Sequence, residues 1–134
     1  MSNDYTSFNK DNGDKIIWEY ELACNLLQTI QFADIVYSKF DITGKVRIIL
    51  QVMNSANSEI IRGRITPNRI DPHICDAEEI YIEREWDSWR LKEEYLEIGK
   101  IIMDELSNYY GLWKSEMFKE ENGVIKFSSK ESGN

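Results

Sequence analysis

Apolar residues recur along this chain with two different periods. Ile16, Tyr20, Ala23, Leu27 and Ile30 follow one another at four- and three-residue steps, and a second series, Leu26, Ile30, Ala33, Tyr37 and Phe40, continues the pattern. Such steps line one face of a helix, so the spacing predicts a long N-terminal helix over residues 15–40 with Asp14 as its oxygen-bearing N-cap. At about 1.5 Å per residue an unbroken helix of this length reaches roughly 40 Å. A break near Gln31 is the alternative. The stripe is wide enough for a helix contacted on more than one side.

The period then changes. After the turn residues Asp41-Ile42-Thr43-Gly44, residues 46–53 are rich in β-branched side chains and put Val46, Ile48, Leu50 and Val52 on one face, which predicts a strand. Residues 54–58 read as a loop, and residues 59–65 as an antiparallel return strand, giving a hairpin. Residues 66–77 hold both prolines, Pro67 and Pro72, and read as an irregular connection. In residues 78–86, Ile80 and Ile82 alternate with Tyr81 and Glu83 as a third strand.

The last long pattern is Leu91, Tyr95, Ile98, Ile102, Leu106 and Tyr109, a helical stripe capped by Asp87 or Ser88 and stopped near Tyr110 by Gly111 at a left-handed C′ position. A turn at Glu121-Asn122-Gly123 and a small strand over Val124-Ile125-Lys126-Phe127 follow. The predicted fold is therefore α+β, with a long N-terminal helix, a small antiparallel sheet of about three strands and a long C-terminal helix, in the order α-β-β-β-α. Residues 1–13 and 128–134 are polar and aperiodic and are expected to be disordered tails, leaving residues 14–127 as a single domain.

The 134 residues are near the commonest domain size, and 42% apolar residues suffice for a core without disulfides or a structural metal. A formal charge of −8 repels a phosphate backbone, so nucleic acid is not an expected partner of this domain. Two cysteines, Cys24 and Cys75, and no apolar run of membrane-spanning length make a reducing, cytoplasmic setting the expectation. No metal or other cofactor is expected: one histidine and two cysteines are too few for a zinc site built on Asp71, His73, Cys75 and Asp76.

The remaining candidates for chemistry are surfaces. Arg47, Arg62, Arg64 and Arg69 form the basic concentration of the chain, with Gly63 between two of them, suited to phosphate or carboxylate. Glu83 and Glu85 offer themselves as cross-strand partners of Arg62 and Arg64. Trp86, Trp89 and Trp113 make the surroundings of the last helix aromatic, which suits a protein interface as well as a core. The carboxylates of residues 78–87 are candidates for general acid–base catalysis, an arrangement that requires two acids in contrasting environments.

Phe32-Ala33-Asp34-Ile35-Val36-Tyr37, Gly44-Lys45-Val46-Arg47-Ile48-Ile49-Leu50 ending at Met53-Asn54, and Ile101-Ile102-Met103-Asp104-Glu105-Leu106 through Tyr110-Gly111-Leu112 to Phe118 resemble the C-terminal region of bacterial ATP-binding proteins that carry a Schlafen-type AlbA domain. The Cys-Pro pair of that region's tail is missing, and the AlbA domain has no counterpart in this chain. The resemblance accordingly implies an accessory region and assigns no functional residue. Together these observations predict a non-enzymatic protein-interaction or regulatory domain of a bacterial or phage system, with a protein partner and a homodimer as the expected assembly. The alternatives are an accessory domain associated with nucleic-acid binding and a small carboxylate-dependent hydrolase.

Overall fold

A computed structural model describes residues 6–9, 14–62 and 72–128 of the chain. Its elements are β1 (Thr6–Asn9), β2 (Asp14–Trp18), α1 (Glu19–Lys39), β3 (Lys45–Met53), β4 (Ser58–Ile61), β5 (Glu79–Asp87), α2 (Arg90–Glu93), α3 (Tyr95–Asn108), β6 (Phe118–Glu121) and β7 (Val124–Phe127). The chain is α+β, but the order α-β-β-β-α is overturned at its beginning, its middle and its end.

At the beginning, residues 14–18 are a strand and not the first turn of a helix. β2 pairs antiparallel with β1 and parallel with β4, so that Ile17 stands opposite both Thr6 and Ile60. Successive strand residues face opposite sides, so the burial of both Ile16 and Ile17 shows β2 covered on both faces, and such a strand reads as a continuous apolar run. Two isoleucines fit a helical stripe equally well, which is why periodicity misassigns them. Helix α1 starts at Glu19 behind an extended Trp18 that offers no side-chain cap, and it runs 21 residues without a break at Gln31. Strand β1 lies within the segment expected to be a disordered tail; residues 1–5, 10–13 and 129–134 of the two expected tails lie outside the described residues.

In the middle, the expected three-stranded sheet does not form. β3 pairs with β5 in a nine-residue antiparallel ribbon, Lys45 opposite Asp87 and Met53 opposite Glu79. β4 leaves β3 and joins β2, giving the sheet order β1-β2-β4. The cause lies in the loop between them. Asn54 and Asn57 adopt positive φ, Ser55 N–H donates to Glu78 O and Ser55 Oγ to Ala77 O, and Asn57 N–H donates to Cys75 O. These bonds tie the loop to residues 75–78, so β4 departs from the ribbon with all four of its residues buried. Residues 63–65 of the expected return strand lie outside the described residues.

At the end, the predicted long helix is two. Glu94 interrupts it with φ −121° and ψ 25°, separating the single turn α2 from the fourteen-residue α3. The stripe itself persists across the break: Leu91, Ile98, Ile102 and Leu106 are all buried. Periodicity reports which side chains face the core and is blind to one residue leaving helical geometry. Gly111 has φ +76°, as a C′ residue should, with α3 ending at Asn108. Asn122 and Gly123, both at positive φ, close a two-residue hairpin that pairs β6 with β7.

The core gathers Leu22, Leu26, Leu27 and Ile30 of α1, Ile98, Ile102, Met103 and Leu106 of α3, and Val46, Ile80, Ile82 and Trp86 of the ribbon. Helix α3 lies close against α1 because residue 99 is glycine. A Cβ there would meet Leu27 Cδ2 at 2.6 Å and Phe118 Cζ at 3.3 Å.

Candidate interaction surface

The described arginines do not share a surface. Arg47 lies on the outward face of β3, 3.8 Å from Glu83 and opposite Glu85 in the ribbon. Arg62 follows β4, in the other sheet; its Nε is 3.4 Å from Glu19 Oε1, its Nη1 is 3.2 Å from Glu116 Oε1, and it donates to Lys114 O. Glu83 is therefore paired by Arg47, not by Arg62. Arg64 and Arg69, with Gly63 and Asp71, lie outside the described residues.

The three tryptophans separate in the same way. Trp86 sits on the inner face of the ribbon opposite Val46 and is 6% exposed, a core residue. Trp89, on the turn before α2, is 67% exposed, and Trp113, in the loop after α3, is 90% exposed.

The buried polar chemistry is concentrated at the start of α1. Glu19 is fully buried, and Ser115 Oγ donates to its Oε2 at 2.8 Å. The Ser115 N–H donates to Asp104 Oδ1 at 2.9 Å, while Lys100 Nζ holds Asp104 Oδ2 at 2.7 Å. Burial raises the Glu19 carboxyl above its usual range, against the opposing pull of Arg62 and of the Ser115 hydroxyl. Glu19 Oε1 and Arg62 Nε face each other at ion-pair distance without an aligned hydrogen bond. This network joins four segments, the β2–α1 junction, the end of β4, helix α3 and the loop before β6. With Arg62 largely covering it, the arrangement serves as an internal tie.

The carboxylates of residues 78–87 are arranged differently. Glu79, Glu83 and Glu85 all point outward from the ribbon and are exposed. Gln51 Nε2 donates to Glu79, and the Tyr81 hydroxyl donates to Glu83 Oε1 at 2.7 Å, raising the phenol's pKa. Such a face is solvated, with Arg47 beside Glu83. Among the described residues no group of three or more His, Cys, Asp and Glu is placed to hold a metal ion, and Cys24 and Cys75 are free thiols.

What the sequence reading passed over is the outer side of α1. Its core stripe is buried from Leu22 to Ile30 and partly buried at Ala33 and Tyr37, yet Phe32 and Ile35 are each 61% exposed, and Phe40 and Ile42 just beyond are 66% and 43% exposed. Neither apolar series of the helix includes Phe32 or Ile35, and that leftover pair was the signal. Charge is also depleted there: from Leu22 to Ser38 the only charged residue is Asp34, in a chain that is 30% charged. The helix predicted to be contacted on more than one side has one side open.

No protein-family model matches the chain, nor does any curated protein or solved structure. Among the described residues no helix is long and apolar enough to cross a membrane.

Proposed function

We propose that this chain is a non-enzymatic protein-interaction domain that docks through the solvent-facing side of α1. The observation that carries this reading is the exposure of Phe32 and Ile35 on a helix whose opposite stripe is buried as far as Ile30 and partly buried at Ala33 and Tyr37. Contiguous exposed apolar side chains are costly in water and mark contact sites. Interface centres are depleted in charge, as this face is, and enriched in aromatic side chains such as Phe32. The face is carried by an unbroken helix anchored against α3, so it is presented in a fixed shape and binding it requires little ordering. An accessory region that works by docking is also what the resemblance to the AlbA-associated region implies.

The test is photo-crosslinking inside the cell. A benzophenone side chain replaces Ile35 in one variant and Glu120, exposed on the β6–β7 hairpin, in a control. Illumination is expected to yield discrete protein adducts from position 35 and none from position 120. No adduct from position 35, or the same adducts from both, overturns the proposal.

A further inference from the structure

The outer side of α1 carries a seam with its own register. Glu21, Asn25, Gln28, Phe32, Ile35 and Lys39 follow at steps of four, three, four, three and four. This is the a/d spacing by which two helices pack along their length. Asn25 is half-buried and the other five are exposed. The seam begins with an acid and ends with a base, and its interior is uncharged. Among the described residues neither the Glu21 carboxylate nor the Lys39 ammonium has an ion-pair partner; Lys39 lies only over the ring of its neighbour Phe40.

We infer that the occupant of this face is a second copy of the chain, its α1 lying antiparallel across a twofold axis near residue 30. This rests on the docking reading above and names the partner. Under a twofold axis residue i meets residue j while j meets i. With the centre between Gln28 and Phe32, Gln28 meets the second copy's Phe32, Asn25 meets Ile35, and Glu21 meets Lys39. Each end of the interface then closes with an opposite-charge pair, about 27 Å apart along the axis at about 1.5 Å per residue. A parallel pair would instead place Glu21 against Glu21 and Lys39 against Lys39.

Charge on the whole molecule argues the same way. Two chains of formal charge −8 repel each other, so a face that meets its own copy has to be locally neutral. The seam is neutral, with one acid and one base.

Sedimentation equilibrium over a concentration series tests the register by charge exchange. The intact chain is expected to dimerise, and Glu21→Lys and Lys39→Glu each to weaken the dimer roughly tenfold by turning both end pairs repulsive. The double variant restores the pairs in reverse, and an equimolar mixture of the two single variants forms a mixed dimer with both pairs matched. Glu21→Lys is the discriminating arm, because it lowers the overall negative charge and would strengthen any association governed by net charge alone. Every site is exposed or surface-lying, so folding is not at stake. A chain that stays monomeric overturns the inference, as does a dimer indifferent to the single exchanges or one not recovered in the double variant and the mixture. Cellular adducts from position 35 with a different protein, beside a monomer in solution, leave the docking reading standing and remove self-association.

Discussion

Ser115 Oγ donates a 2.8 Å hydrogen bond to Glu19 Oε2, joining residues 96 positions apart in a buried site. A buried carboxylate that loses a donor keeps its desolvation cost. Ser115→Ala is therefore expected to lower stability by about 1–3 kcal/mol, measured by urea unfolding. An unchanged midpoint would mean that the network does not tie the start of α1 to the β6–β7 end.

The same carboxyl sets a pH dependence. Burial favours its protonated form, so its folded-state pKa lies above the usual 4.5. The contribution is fully present below about 4.5 and is lost as pH rises through the raised value. Glu19→Gln keeps an acceptor for Ser115 and removes the ionisation. The difference in thermal midpoint, intact chain minus variant, is expected to be flat in acid and to fall as pH rises above 4.5. A difference that grows with pH would reverse the assignment.

Gly99→Ala tests the contact that brings α3 against α1. The new methyl would meet Leu27 Cδ2 at 2.6 Å within a packed core. Overpacking costs about 1–3 kcal/mol, and the gain in helix propensity, at most about 1 kcal/mol, offsets part of it. A net loss of roughly 1–2 kcal/mol in chemical unfolding is expected; a stabilised variant would contradict the packing.

Trp86 and Trp113, alike in the sequence as aromatic site candidates, should part company on substitution. Trp86→Ala empties a core position 6% exposed and is expected to cost about 3–5 kcal/mol. Trp113→Ala removes a side chain that is 90% exposed and should stay within about 0.5 kcal/mol of the intact chain. Paired denaturation curves give the comparison.

These residues also show how far the sequence carries. The helical stripe from Leu91 to Leu106 was legible because every fourth or third residue faces the core, and the Asn122-Gly123 turn because its backbone needs positive φ, whereas the partner strand β6 was not. The destination of β4 was not legible, since local alternation cannot say which strand a strand will meet. It was decided by Ser55 and Asn57 bonding to residues 75–78. Nor was the β2 assignment, where Ile16 begins a helical series through Tyr20 and Ala23 and the adjacent Ile17 leaves no alternation to read. The Glu19–Arg62–Ser115 network depends on pairings between residues far apart in sequence. The outer side of α1 was half visible: its apolar width could be read, and which part of that width would lack a neighbour could not.

That open side is the centre of the account, and the concentration dependence of thermal unfolding tests it most directly. A dimer gains stability by mass action. The midpoint of the intact chain should rise with protein concentration, while Ile35→Asp should unfold at a midpoint independent of concentration and equal to the intact chain's dilute limit. A concentration-independent midpoint in the intact chain would contradict self-association through this face, and an Ile35→Asp variant unfolded at every concentration would contradict the open face itself, because that would place Ile35 in the core.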